Sequence, residues 1–462
     1  SERRRRITEG AEALCAKRGL CLVADMGLLE EVAGMVEWPA ALIGDIAPEF
    51  LDLPPEVVRT TMRVHQRYFA VARPDGTLAP HFIAIANLET VDDGTLITAG
   101  NVRVLAARLS DARFFWSEDR RKPLEAWLEP LAGVVFHARL GPMADRVERL
   151  ANLARWIAPH IGADPDEAAR AGRLAKADLA TGMVGEFPEL QGIMGGYYAA
   201  ASGESEAVAA AIADHYRPQG PSDRVPNAPV SIAVALADKV DLLATFFSIG
   251  EAPTGSRDPF GLRRAALGII RIVTENRLSV SLRELFAASG YPDNGLEAFA
   301  ADRLKGLLRD RGARHDLADA VLALGDDDCT RIVEKVEALT EFLANPAGAD
   351  LLAAYRRAGN ILDAEARKGP LPATEPGPAQ GAEGAFFDAV RATRVAVHEA
   401  LATADFRSAL ESLAELRAPI DRFFDEVLVN SPVSAERANR LSLLQAARAV
   451  MGEVADFARI SV

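Results

Sequence analysis

The stretch "LAKADLATGMVGEFPELQG", residues 174–192, combines an apolar repeat with regularly spaced charges. Its periodicity predicts one amphipathic helix from residue 174 to about residue 187, ended by the following proline. Asp178 and Glu186 then lie roughly two turns apart, on neighbouring faces of the helix. Carboxylates fixed on a helix can hold a metal ion and a water molecule, or they can be structural or substrate-steering groups. The stretch therefore predicts either a hydrolytic centre or the helical shell of one.

The composition is that of a globular protein: 462 residues, of which 49% are hydrophobic and 26% charged. This is enough material for about two to four domains. The opening "SERRRRITEG" indicates a longer protein cut inside a domain. No apolar run approaches ~18 residues, so we expect no membrane span. Cys15, Cys21 and Cys329 are isolated and form no CxxC pair. This argues against structural zinc and a disulfide framework, and it fits a reducing cytoplasm.

The net charge of −14 argues against a general nucleic-acid coating protein, which needs an overall positive field. It leaves open a specific RNA-binding protein, because only the contact face must be positive. Short arginine clusters occur along the chain, and each has the alternative interpretation of a solvated face balanced by nearby acids.

The sequence pattern changes near residue 125, from mixed α/β to almost entirely helical. Residues 68–87 alternate apolar and polar positions around "PDG", which predicts a β-hairpin. Asn101 is expected to cap the helix that follows it. Residues 367–384, rich in Pro, Gly and Ala, predict a flexible loop. The fold class is mainly α multidomain, and the clearest helix predictions after residue 125 are 142–160, 166–187, 204–216, 229–249 and 259–276.

A degenerate metal-binding pattern runs through the helical region. Metal phosphohydrolases of the HD type bind a divalent ion through a His, a His-Asp doublet and a distant Asp around one pocket. This chain has His137, Ala177-Asp178 and Asp238 in the same order. Because Ala177 replaces the histidine of the doublet, one ligand is missing, and His215 is a possible substitute that no spacing enforces.

The same carboxylates have a structural interpretation. Asp178 and Asp238 can pair with Lys176, Lys239 or nearby arginines and organise a helical core. This interpretation predicts no bound metal.

The segment 252–273, "APTGSRDPFGLRRAALGIIRIV", predicts a helix that begins at the Asp258-Pro pair. Exposed amide groups at its start, together with Arg257, Arg263 and Arg264, can hold a phosphate. The alternative is a capped helix whose arginines meet surface acids. The sequence has neither a GxxxxGK[ST] loop nor a GxGxxG motif after a strand, so no motif predicts nucleotide binding.

The last helix, "SAERANRLSLLQAARAVMGEVADFARI", places three arginines around an apolar stripe. Arg437 and Arg448 lie at the edge of the stripe, where they can reach a phosphate or a base. Arg440 lies inside it, where an arginine usually pairs with a buried carboxylate; Asp421 or Asp425 is the expected partner. The stripe comprises Leu443, Leu444, Ala447, Met451 and Val454.

Seven stretches together resemble, in chain order, the beta subunit family of the bacterial two-subunit glycyl-tRNA synthetases. The resemblance runs almost end to end but lacks the family's N-terminal region, and Ala177 is the family's form. The stretches are "DMGLLEEVAGMVEWP", "LPPEVVRTTMRVHQRYFAV", "ARLSDARFFWSEDRRKPLE", "KADLATGMVGEFPELQGIMGGYYA", "ALADKVDLLATFF", "PTGSRDPFGLRRAALGIIRI" and "FFDEVLVN…ERANRLSLL".

The resemblance implies three domains and a role without chemistry of its own. Residues 1–125 resemble part of a B3/B4-type domain, 126–280 an HD-like helical domain, and 281–462 an anticodon-binding domain related to that of arginyl-tRNA synthetase. It further implies a cytoplasmic heterotetramer with an alpha subunit, which binds ATP and Mg²⁺ and activates glycine. This chain would bind tRNA(Gly), with no cofactor or catalytic residue of its own and no DNA or membrane partner.

At the residue level, the combined expectation is a tRNA-binding set and a degenerate HD set. The tRNA-binding set is Arg257, Arg263, Arg264, Arg437 and Arg448, with Arg440 structural; the degenerate set is His137, Asp178 and Asp238. Where the family typically has acidic residues after "FFD", this chain has "VLVNSPVSAERANRL". Two other functions stay open, a metal-dependent phosphohydrolase and a purely structural assembly subunit.

Overall fold

The computed structural model describes residues 2–461, which divide into two compact units. The first unit runs to Tyr216 and includes Ala228–Asp238, and the second comprises Arg217–Asn227 and the chain from Lys239 onward. Helices dominate, and the sheet lies near the start of the chain, which confirms the mainly α multidomain class. The division into three domains near residues 125 and 280 stays a prediction.

A four-stranded antiparallel sheet lies in the first unit, with β1 (Cys21–Leu22), β2 (Ala40–Asp45), β3 (Phe69–Ala72) and β4 (Leu78–Ala86) in the order β1-β3-β4-β2. The predicted hairpin is confirmed as β3 and β4. Its turn is held by Asp75, whose carboxylate accepts the Thr77 amide at 2.9 Å. Gly44 pairs with Phe82 in the sheet, and a Cβ at Gly44 would lie 2.3 Å from the Phe82 ring, so only glycine fits there. A short β-ribbon follows, made of β5 (Val135–His137) and β6 (Gly141–Pro142).

The helices of the first unit cover the sheet and then form a separate helical group. Apolar side chains of the first two helices pack against the sheet residues Phe69, Val71 and Ile83. The helices are α1 (Glu2–Ala16), α2 (Met26–Met35), α3 (Pro55–Thr60), α4 (Thr95–Asp119), α5 (Met143–Ile157), α6 (Pro165–Leu174), α7 (Gly182–Glu186), α8 (Ile193–Ala201) and α9 (Glu206–Asp214).

The second unit is built of helices joined by loops within the residues that the structure describes. Helix α10 (Pro229–Ser248) begins among residues of the first unit and ends among those of the second. The remaining helices are α11 (Leu262–Glu275), α12 (Leu282–Ala287), α13 (Leu296–Asp310), α14 (His315–Leu322), α15 (Cys329–Leu343), α16 (Pro346–Ala366), α17 (Gly381–Ala402), α18 (Phe406–Ala414), α19 (Arg417–Glu426) and α20 (Ser434–Gly452). The loop predicted over 367–384 is shorter in the structure and covers 367–380, because α17 already begins at Gly381.

The single helix predicted over 174–187 is wrong. Helix α6 ends at Leu174, a 3₁₀ turn spans Ala177–Ala180, and α7 begins at Gly182. The break is stabilised from α4, because the Asp119 carboxylate accepts the amides of Gly182 at 3.0 Å and Met183 at 2.8 Å. These amides would otherwise continue the helical hydrogen bonds.

The predicted role of Asn101 as a helix cap is also wrong. Helix α4 already begins at Thr95, two turns earlier, and Asn101 lies in its interior. The Asp92 carboxylate supplies the cap instead, since it accepts the Leu96 amide at 2.9 Å.

Candidate functional site

The ammonium group of Lys176 organises the pocket that contains the degenerate HD positions. Lys176 is 1% exposed, and its Nζ lies 2.7 Å from Asp238 Oδ1 and 2.8 Å from His215 Nε2. The same ammonium lies 3.8 Å from the centre of the Tyr216 ring. Carboxylate, imidazole and aromatic face therefore surround a cation that belongs to the chain itself.

The hydrogen bonds of His215 define its protonation. Its Nδ1 lies 2.6 Å from the Ile212 carbonyl oxygen, which can only accept, so Nδ1 carries a hydrogen. Its Nε2 then accepts from the Lys176 ammonium. The imidazole is neutral in this arrangement, and its lone pair is directed at the lysine, as it would be directed at a metal ion in a metal site.

Asp178 lies on the 3₁₀ turn and is completely buried. Its Oδ2 accepts the amides of Gly192 at 2.6 Å and Gly195 at 3.0 Å. Its Oδ1 has no hydrogen-bond partner within residues 2–461. Burial raises the pKa of Asp178 to about 6, although the two amides act in the opposite direction. The predicted Lys or Arg hydrogen-bond partner of Asp178 is wrong, because backbone amides take that place.

Asp238 has the cationic partners that the structural interpretation predicts. Besides the bond from Lys176, it accepts one from Arg146 Nη2 at 3.0 Å, and both cations are buried. Burial lowers the pKa of Lys176 to about 8, and the Asp238 carboxylate opposes that shift. Lys239, the other lysine proposed for this pairing, donates to the Arg217 carbonyl oxygen at 2.6 Å.

The donor geometry of this pocket supports charge pairing between helices. Within residues 2–461, no three His, Cys, Asp or Glu side chains are grouped in a way that could hold a metal ion. His137 ends strand β5, and its Nδ1 accepts the Arg139 amide at 3.3 Å. The imidazole of His215 and the carboxylate of Asp238 are directed at the ammonium, and nothing in the pocket favours the phosphohydrolase alternative.

Asp258 caps helix α11, although the helix begins at Leu262 and not at residue 259 as predicted. The Asp258 carboxylate accepts the amides of Leu262 at 2.8 Å and Arg263 at 2.9 Å across a left-handed Gly261 with φ +68°. The amides proposed for phosphate binding at this helix start are therefore bonded to a carboxylate, which would also repel an anion. The capped-helix alternative describes the backbone here.

The three arginines proposed near α11 differ in their surroundings. Arg257 is exposed in the loop before the helix. Arg263 Nη2 donates to the Gly255 carbonyl oxygen at 2.5 Å. Arg264 is exposed and makes no side-chain hydrogen bond or ion pair with any residue between 2 and 461. Arg263 and Arg264 line one cavity.

The apolar stripe of α20 is confirmed, and Arg440 has the buried partner expected of it. Its side chain is 16% exposed, its Nε lies 2.8 Å from Glu383 Oε2, and its Nη1 donates to the Leu428 carbonyl oxygen at 2.9 Å. The predicted partners on α19 are wrong, because α20 packs against α16 and α17. The predicted stripe residues are all buried: Leu443, Leu444, Ala447, Met451 and Val454. The helix is shorter than predicted, because α20 ends at Gly452 and Val454 lies just past that end.

The two edge arginines of α20 are more exposed than Arg440, at 41% for Arg437 and 32% for Arg448. Arg437 is ion-paired with Glu365 of α16, whose side chain is 3% exposed. Arg448 lies 3.5 Å from Asp363 and donates to the Tyr355 hydroxyl at 3.3 Å. Both arginines thus keep an accessible part while having an intramolecular partner.

Sequence reasoning missed two features of these sites. The sequence predicts Lys176 as an ion-pair partner of the nearby carboxylates, but it does not predict the contact between Lys176 and His215. That contact joins residues far apart in the chain. Sequence reasoning also passes over Arg303 and Arg309 on α13, which line the same cavity as Arg263 and Arg264. The two residues are six positions apart, about 120° from each other round the helix, so their spacing does not place them on one face and gives no signal in the sequence.

Between residues 2 and 461, none of the helices combines the length and the apolar character needed to cross a membrane.

Comparison with known proteins gives matches to both parts of the chain. Residues 1–323 match the family described as glycyl-tRNA synthetase beta subunit, and residues 351–461 match the DALR anticodon binding domain. The glycine–tRNA ligase beta subunit of Phenylobacterium zucineum is 58% identical over 467 residues, covering 100% of this chain and 69% of the relative. The beta subunit of Rhodospirillum centenum is 51% identical over 99% of this chain and 67% of the relative. That of a Ruegeria species is 49% identical over 99% and 69%.

Proposed function

The chain belongs to the glycyl-tRNA synthetase beta subunit family, and from that premise we propose that it binds tRNA(Gly) for a separate alpha subunit that attaches the glycine. The observation that carries this proposal is the match of residues 351–461 to an anticodon-binding domain, in the same chain as the beta-subunit match over 1–323. A domain of that kind needs an RNA ligand. The proposed assembly is a cytoplasmic heterotetramer in which ATP and Mg²⁺ act at the alpha subunit.

The proposed division of labour gives the helical domains to RNA docking. The second unit would contact the anticodon arm through Arg437 and Arg448, whose side chains are partly exposed. Arg257, Arg263 and Arg264 would contact phosphates. The pocket around Lys176 would support the HD-like part as a structural core.

A gel shift of the whole chain with tRNA(Gly), at low and high salt, tests the proposal. Binding through phosphate contacts should weaken steeply as salt rises. Arg257→Ala should lower the affinity and reduce the salt slope by about one, as expected for the loss of one phosphate contact. Arg155→Ala on α5 is the matched control, because Arg155 is exposed and lies outside the proposed surfaces. Absence of a shift at low salt would refute tRNA binding by this chain.

A further inference from the structure

A cavity of about 530 Å³ opens in the second unit, where α11 and α13 meet. Its size is in the range of small-molecule sites. Its lining carries two carboxylates, Asp302 and Asp310, against six cations: Arg263, Arg264, Arg271, Arg303, Lys305 and Arg309. In a chain with a net charge of −14, this concave concentration of positive charge favours an anionic ligand.

Two of the six cations are committed to the fold, and a third, Arg263, donates to the Gly255 carbonyl oxygen. Arg271 donates to Glu275 and to the carbonyl oxygens of Gly220 and Asp223. Lys305 lies 2.5 Å from Asp319. These bonds fix the wall of the cavity and take up both positive charges.

Three other cations retain binding capacity. The Arg264 guanidinium makes no hydrogen bond or ion pair within residues 2–461. Arg303 pairs with Asp302, but its buried Nε has no hydrogen-bond partner in the same range. Arg309 is 70% exposed and approaches a carboxylate only at 4.0 Å, on Asp310. Guanidinium groups in this state suit the paired oxygens of a phosphate.

Apart from Gln219 and His315, the remaining side chains of the lining are apolar, and the cavity has room for a ligand. Leu267 and Leu307 contribute aliphatic surface from the two helices, and Pro218 contributes its ring. Gly306 lies in the middle of α13, and a Cβ built there meets nothing within 4 Å. The cavity therefore offers apolar surface beside its arginines, and the sugar and base of a nucleotide can pack on that surface next to a bound phosphate.

We propose that this cavity binds a nucleotide, with Arg264, Arg303 and Arg309 on its phosphate and the apolar lining on its base or sugar. The nucleotide can be free or part of an RNA strand, since both present the same phosphate and base chemistry. No nucleotide-binding motif marks the site, because the phosphate ligands come from side chains of two helices and not from a glycine-rich loop. The proposal does not depend on tRNA docking, because a free mononucleotide satisfies it.

Isothermal titration of the whole chain with AMP, adenosine and a 5′-phosphorylated oligoribonucleotide tests this assignment. AMP or the oligoribonucleotide should bind saturably, and adenosine at least about tenfold more weakly, as the loss of charged hydrogen bonds predicts. Binding of AMP identifies a free nucleotide as sufficient, and binding of the oligoribonucleotide alone identifies an RNA source. Equal binding of adenosine and AMP, or no saturable binding of any phosphorylated probe, would overturn the proposal.

Matched variants localise the binding to the cavity. Arg264→Gln and Arg303→Gln should each weaken phosphate-dependent binding by at least about tenfold. Arg311→Gln is the charge control, because Arg311 follows α13 but does not line the cavity. Gly306→Leu should block binding without changing the charge, because its side chain would fill the space beside α13. Wild-type affinity in both the arginine variants and Gly306→Leu would contradict the site, and a melting curve of each variant confirms that it folds. If the wild-type chain bound AMP but not tRNA(Gly), the proposed function would be refuted and this site would remain.

Discussion

The buried ammonium of Lys176 holds together residues that are distant in the chain, and its removal should destabilise the first unit. In a Lys176→Met variant, Asp238 and His215 both lose a hydrogen-bond donor. Breaking a buried charged pair costs roughly 3–5 kcal/mol. For a unit of this size, that corresponds to a fall of roughly 6–20 °C in melting temperature. Differential scanning calorimetry measures the shift directly.

Lys17→Met is the matched control for this substitution, because Lys17 is exposed just after α1. A surface change of this kind should alter the free energy of unfolding by no more than about 0.5 kcal/mol. If Lys176→Met melted with the wild type, the ammonium would have no structural role.

Asp178 should make the stability of the protein depend on pH in a specific direction. Burial raises its pKa from 3.8 to about 6 in the folded chain. The folded state therefore binds the proton more tightly, and the resulting stabilisation is complete below pH ~4 and lost as the pH rises through about 6. A shift of this size corresponds to about 3 kcal/mol. Urea unfolding of the wild type and Asp178→Asn between pH 4 and 7.5 isolates the effect, since Asn does not titrate there. A stability difference that stays constant across this range would contradict the prediction.

At the scale of elements, local periodicity predicted the features that depend on residues close together in the sequence. The stripe of α20 and the 68–87 hairpin followed from such patterns. The break in 174–192 did not, because Asp119 on α4 supplies the capping carboxylate from far away in the sequence. The partner of Arg440 was missed for the same reason, since the packing of α20 against α17 brings Glu383 to it.

The arginines of α20 should differ in their effect on stability according to their partners. In Arg440→Ala the mostly buried Glu383 carboxylate loses the hydrogen bond from Arg440 and keeps the one from the Asn439 side-chain amide. This loss should lower the free energy of unfolding by roughly 3–5 kcal/mol. Arg437→Ala should cost less, because Glu365 keeps Lys368 at 2.7 Å. Chemical unfolding of the two variants side by side measures the order.

Arg448→Ala provides the comparison for an exposed ion pair. In the wild type the Arg448 guanidinium lies 3.5 Å from the Asp363 carboxylate, and both side chains are partly exposed. Such pairs are worth about 0–1 kcal/mol. An Arg440→Ala protein as stable as Arg448→Ala would contradict the structural role of Arg440.

At the scale of the whole molecule, the order of motifs predicted more than any single motif. The family followed from seven stretches taken in chain order, and the mainly α class followed from the helical periodicity after residue 125; both are confirmed. The HD-like pattern alone left two functions open, because a missing histidine does not reveal what occupies its surroundings. The structure places Lys176 against His215 and Asp238, and that arrangement depends on long-range packing which periodicity does not encode.

Amino-acid activation should require the alpha subunit, and this chain alone should form no glycyl-adenylate. Activation needs a glycine carboxylate held in line with the α-phosphate of ATP, together with groups that stabilise the departing pyrophosphate. The sequence has no phosphate-cradling loop for that reaction, and nucleotide binding in the α11–α13 cavity would not supply one. Glycine-dependent ATP–pyrophosphate exchange should therefore be absent for this chain and appear when the alpha subunit is added. Exchange by the isolated chain at a rate that depends on glycine would refute this division of labour. Preparations carrying Arg257→Ala should support exchange as the wild type does while charging tRNA more slowly, because that arginine is proposed to contact only the RNA.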